Sequence, residues 1–140
     1  MTRMSEFASQ AASPPSEEPV NWPEALRSLQ GNRTLLRAVV QAALEEIPRL
    51  MSEVRQAVAQ RDRTKLRLSA HTLKGSLRYL GAARVFEEAY RLETMGRDGL
   101  LDDASQAVEN LDTDMKKVTA ILAEHLQHGF GDTLPREGEP

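Results

Sequence analysis

Residues 62 to 82 read DRTKLRLSAHTLKGSLRYLGA, and the spacing of their apolar positions decides how the chain folds. At about 100° per residue, Leu66, Leu73, Leu77 and Leu80 come to one side of a helix, with the small Ser69, Ala70 and Ser76 along its borders. No stretch of the chain shows a sustained alternation of period two that would compete with this reading. Asp62 is a residue type that accepts from the first free N–H groups of a helix, and Gly81 is one that ends a helix. The stretch therefore predicts a helix capped at Asp62, running to Leu80 and stopping at Gly81.

The helical period continues on both sides. Upstream, Asn21 is a candidate cap for a short helix with Trp22 and Pro23 at its start, Leu26 and Leu29 facing inward, and Gly31 closing it. A longer segment then carries Leu36, Val40, Ala43, Ile47, Leu50 or Met51, Val54 and Val58 on one stripe. Pro48 falls within it and removes the bond to the Leu44 carbonyl, yet the stripe keeps its phase, so the segment is one kinked helix or two collinear ones. Downstream, residues 83 to 95 bury Val85, Ala89 and Leu92 and end at GRDG. The last helix begins at Asp102 and Asp103, acids suited to a helix N-terminus, and buries Ala104, Val108, Leu111, Met115, Val118 and Leu122. Short loops between long amphipathic helices predict an all-α, antiparallel up-down-up-down four-helix bundle, with the additional short N-terminal helix as a lid. Residues 1–20 and 128–140 hold too few large apolar side chains to offset the entropy of ordering and are expected to be tails around a domain spanning 21–127.

Composition narrows the function classes. A chain of 140 residues, 40% of them hydrophobic, is long enough to bury one core without metals or crosslinks. The absence of cysteine removes disulfides, thiolate zinc sites and cysteine nucleophiles, and fits a reducing compartment. A formal charge of −3 provides no global basic field for nucleic acid or an anionic membrane, and the basic run RQAVAQRDRTKLR has no interleaved aromatics on which bases would stack. Neither an apolar span of bilayer length nor the apolar core of a secretory signal is present, so the protein is expected to be cytoplasmic. No glycine-rich phosphate loop of the Walker or kinase type occurs, so any phosphoryl group must arrive from elsewhere. His125 and His128 stand three apart near the end of the last helix. That spacing suits two metal ligands, but without a third ligand they fit better as helix C-terminal residues, and no metal site is expected.

The side of the 62–82 helix opposite its leucines has its own chemistry. His71 points about 180° from Leu80, and Thr64, Arg67, Leu68, Lys74, Gly75 and Arg78 lie within roughly 60° of it. An exposed helical histidine most often does nothing, but these neighbours change its meaning. Arg67, Lys74 and Arg78 form a cationic collar that favours a neutral imidazole with a free, nucleophilic ring nitrogen. The same cations would hold the oxygens of a phosphoryl group attached there. Gly75 costs about 1 kcal/mol relative to alanine in a helix and leaves open space one turn beyond the histidine. Leu68 is an apolar side chain on the water-facing side and a candidate docking contact.

AHTLKGSLRYLGA, with a lysine three and a glycine four residues after the histidine and a Gly-Ala close, resembles the signature of the histidine phosphotransfer (HPt) domain family. The lead-in from Asn21, with its mid-helix proline and the Asp before the histidine helix, is similar too, so the resemblance covers about residues 21 to 126. It implies that His71 accepts a phosphoryl group, that Lys74 stabilises it and that Gly75 gives a partner room. The family often has a glutamine on the next helix near the histidine; the matching position here is Glu93, whose charge would repel a phosphoryl group. Either Glu93 hydrogen-bonds the imidazole, or it pairs with Lys74 or an arginine, or it points away. The implied protein is a monomeric phosphoryl carrier rather than an enzyme. It works between a histidine kinase and response-regulator receiver domains, needs no cofactor of its own, and relies on Mg²⁺ on the receiver. Two alternatives share the composition: a helical adaptor that carries no phosphate, and the phosphoacceptor domain of a chemotaxis-type kinase.

Overall fold

The computed structural model describes residues 18–129, and every regular element among them is an α-helix. These are α1 (Trp22–Ser28), α2 (Arg33–Ala59), α3 (Arg63–Leu77), α4 (Ala83–Asp98) and α5 (Ala104–His128). The long helices are joined by turns of only a few residues, which forces each to run antiparallel to the last. Each packs on the next, and α5 closes back on α2. The result is the antiparallel four-helix bundle that the apolar stripes predict, with α1 added to it.

Local chemistry sets the boundaries. The side chain of Asn21 accepts from the Glu24 N–H at 3.0 Å, that of Asn32 from Leu35 at 2.9 Å, and that of Asp62 from Lys65 at 3.0 Å. Helix α2 runs unbroken through Pro48, which answers the choice between one helix and two. Its buried stripe ends on Ala57, while Val58 is only partly covered. Helix α3 stops at Leu77, three residues short of the predicted end; Arg78 and Leu80 instead donate to carbonyls three residues back, in tighter turns. Leu80 still reaches the core. Helix α4 continues past residue 95 to Asp98 before Gly99 ends it in the left-handed region. At Asp103, where α5 begins, the acid makes no side-chain capping bond.

Val20, just ahead of the expected 21–127, is buried in the core, and α5 carries on to His128. The remaining positions expected to be tails, 1–17 and 130–140, lie outside the described residues. A backbone contact holds α1 against the bundle: the Asn21 N–H donates to the Gly81 carbonyl at 2.8 Å. A side chain at Gly81 would collide with the Asn21 carbonyl, and its φ of 67° also favours glycine. At the far end of the bundle's chain path, Trp22 stacks at 4.5 Å on His125, which is therefore part of the packing of α1 on α5. No described helix is long and apolar enough to cross a membrane.

Candidate functional site

The leucine stripe of α3 determines where His71 goes. Leu66, Ala70, Leu73 and Leu77 are buried, so the opposite side of the helix faces solvent, and the His71 side chain is 62% exposed. On α4, Val85, Ala89 and Leu92 face inward. Glu93, next to Leu92, then stands at the edge of that helix turned towards α3.

Glu93 joins the site together. Its Oε2 lies 3.0 Å from His71 Nδ1, and its Oε1 lies 2.8 Å from Lys74 Nζ. Two of the three possibilities for this residue therefore hold at once. Burial works against the Glu93 charge, but hydrogen bonds from Lys74 and His71, with their charges, outweigh it and hold the carboxyl below the usual carboxylate range. An ionised carboxylate only accepts hydrogen bonds, so His71 donates through Nδ1–H, and whenever the ring is neutral its lone pair is on Nε2, directed away from Glu93. That arrangement removes the conflict over charge: a group bonded to Nε2 sits across the ring from the carboxylate.

The cations divide unequally. Lys74 is largely covered, with 14% of its side chain exposed, and its ammonium also lies 4.7 Å from the centre of the Tyr90 ring. Arg78 extends over Phe86, 5.8 Å from the ring centre, and Arg67 is exposed one turn before His71. The expected collar thus becomes one lysine held at the site by Glu93, with an arginine on either side along the helix. Around any Cβ added at Gly75 the nearest 4 Å is empty, so the gap beyond the histidine is open. Leu68, one turn before His71, is 51% exposed and lines a groove between α2 and α3 with Arg49, Glu53 and Thr72.

A lone imidazole fixed through one nitrogen, open at the other and backed by a lysine suits reversible attachment of a phosphoryl group. The sequence matches the family model for the Hpt domain over residues 38–124. The chain belongs to the Hpt domain family. It is a histidine phosphotransfer protein of a phosphorelay, in a family whose members interact with kinases and receiver domains. The crystal structure of histidine-containing phosphotransfer protein B (HptB) from Pseudomonas aeruginosa PAO1 has the same fold as this Hpt domain. The TM-score is 0.71 at 22% identity, covering 79% of this chain and 96% of the other. No curated protein matches the sequence.

Two residues close to the His71–Lys74–Glu93 cluster are not singled out by the sequence. Tyr90 looks like an ordinary surface aromatic until the fold sets it against Lys74. Gly96 reads as part of a GRDG turn but is buried inside α4, where a Cβ would come within 2.7 Å of the Arg67 backbone N and 2.8 Å of the Arg63 carbonyl oxygen. Its only sequence signal is that 85, 89, 92 and 96 continue one helical stripe.

Proposed function

We propose that His71 is the phosphoacceptor and that Nε2 is the atom that carries the phosphoryl group. The observation that carries this reading is the 3.0 Å contact between Nδ1 and the Glu93 carboxylate, which commits the other nitrogen of an exposed ring to solvent. The Nε2 lone pair attacks the phosphorus of an aspartyl phosphate on a receiver domain; the N–P bond forms as the P–O bond breaks, and the aspartate leaves as a carboxylate. The ring then carries positive charge, and Glu93 balances it through the Nδ1–H it already holds. Transfer onward reverses these bonds on a second receiver aspartate. Positioning and neutralisation of oxygen charge do most of the work in such transfers.

Lys74 neutralises the phosphoryl oxygens from the side, and the open space at Gly75 lets the partner's active site approach. Leu68, Arg67 and Arg78 belong to the surface the partner meets. The receiver brings Mg²⁺ and its acidic pocket, and a histidine kinase is the alternative direct phosphoryl donor. This chain supplies no kinase chemistry of its own, and it acts as a cytoplasmic monomer.

Incubation with a phosphorylated receiver tests the reading. Wild type should acquire an acid-labile, base-stable label; His71→Gln should acquire none, and Lys74→Ala should be labelled about ten- to a hundredfold more slowly while still folding, as expected for losing a hydrogen-bonded charge. Labelling that persists in His71→Gln would refute the assignment.

A further inference from the structure

Lys74 has a long, flexible side chain, yet it is largely covered on the surface of a helix whose face is otherwise open. Glu93 fixes one side of its ammonium at 2.8 Å, and the ring of Tyr90, one turn earlier on α4, lies beneath it with 4.7 Å between Nζ and the ring centre. Core packing does not account for the tyrosine, which is 44% exposed and projects from a helix whose inward stripe is Val85, Ala89 and Leu92. An ammonium over an aromatic face is attracted by the negative charge of the ring's π-cloud, more so where water is partly excluded.

We propose that Tyr90 is a positioning residue for Lys74: its ring forms a fixed floor on which the ammonium turns from the Glu93 carboxylate to a phosphoryl oxygen on His71. This rests on His71 as the phosphoacceptor and adds a residue to that site. The carboxylate alone would hold Lys74 only in the unphosphorylated state. When the phosphoryl group arrives, the ammonium must release or share Oε1 to meet the new oxygens, and without a second contact it regains the freedom of its stem. The ring makes no demand on direction within its plane, so it keeps the ammonium at the site through that turn. A leucine at the position would cover similar surface but offer no π-face.

The test uses the full chain in two measurements. In single-turnover transfer from a phosphorylated receiver, Tyr90→Leu should lower the saturating rate about three- to tenfold and leave the half-saturating receiver concentration unmoved. Tyr90→Phe should recover most of that rate, and Tyr90→Leu should add no further loss on a Lys74→Ala background. A raised half-saturating concentration at an unchanged rate would make Tyr90 a docking contact and overturn the proposal, as would full additivity with Lys74→Ala. Independently of any receiver, the Lys74 ε-methylene protons should be shifted upfield by the ring in wild type and Tyr90→Phe and return to ordinary values in Tyr90→Leu. Unshifted protons in the wild type would refute the role of the tyrosine, whereas an unlabelled wild type would instead refute His71 as acceptor.

Discussion

Glu93 uses its two oxygens for two different partners, and its contribution can be separated from that of a neutral acceptor. Glu93→Ala removes the acceptor for Nδ1–H, lets the ring change tautomer and rotate, and leaves Lys74 without its ion pair. A hydrogen bond to a charged group is worth about 1.5–3 kcal/mol, so phosphoryl transfer to His71 should slow roughly ten- to a hundredfold. Glu93→Gln keeps an oxygen for the imidazole but loses the charge that would balance a phosphorylated ring under the proposed mechanism, and should fall between wild type and Glu93→Ala. Imidazole ¹⁵N shifts provide the check: one Nδ1–H tautomer in wild type and Glu93→Gln, and a mixture in Glu93→Ala. A single Nδ1–H tautomer surviving in Glu93→Ala would mean that another group orients the ring. At this scale the sequence identifies the position but not the role. The outward direction of His71 follows from the leucines on its own helix. The direction of Glu93 depends on how closely a second helix approaches, which no local spacing contains.

Two glycines of the helix pair α3 and α4 should respond in opposite ways to the same substitution. Gly75 has no neighbouring atoms within 4 Å of an added Cβ, so Gly75→Ala should stabilise the fold by about 1 kcal/mol through helix propensity, while slowing transfer by occupying the partner's approach. Gly96 meets the backbone of α3 at Arg63 and Arg67, and backbone cannot swing aside as a flexible side chain does. Gly96→Ala should push the helices apart and cost about 1–3 kcal/mol from overpacking, partly offset by the same propensity gain. Because Gly96 sits about one turn beyond Glu93, and Arg67 about one turn before His71, the separation should also lengthen the imidazole–carboxylate contact. Urea unfolding of both variants, read beside the transfer rate, checks the pair; a destabilised Gly75→Ala or a stabilised Gly96→Ala would contradict it. The elements themselves were legible because each long helix has one buried stripe with the period of 3.6, and Asn21 and Asp62 mark their starts by side-chain chemistry. The ends of α3 and α4 were less so. Leu80 stays in phase with the α3 stripe although the backbone has already tightened, and the GRDG string puts a packing glycine, Gly96, three residues before the terminating Gly99.

Across the molecule, the seam between α4 and α5 holds two carboxyl groups that share one arginine. Arg84 Nε is 3.0 Å from Asp114 Oδ2 and 3.9 Å from Glu88 Oε2, and Lys117 reaches Asp114 at 3.9 Å. Burial pushes the Glu88 carboxyl up, and its hydrogen bond to Asp114 and the charge of that neighbour push it further, against the opposing effect of Arg84 and Arg91, to about 7. Glu93, on the other side of α4, is shifted the opposite way. The two shifts limit the bundle from both directions. The folded state binds the Glu88 proton more tightly than the unfolded chain does, so its contribution is complete below the ordinary carboxylate range and is lost as the pH rises through about 7. The folded state holds Glu93 ionised more readily, so that contribution is present above the ordinary range and is lost on acidification. Stability should therefore decline from pH 5.5 to pH 8.5, with the midpoint of urea unfolding falling across that window. Glu88→Gln keeps the hydrogen-bonding shape without the ionisation and should flatten the decline, becoming more stable than wild type above pH 7. Because the seam faces away from the imidazole, the same variant should leave the tautomer of His71 unaltered. An unchanged slope in Glu88→Gln would place the alkaline sensitivity of the bundle on some other group.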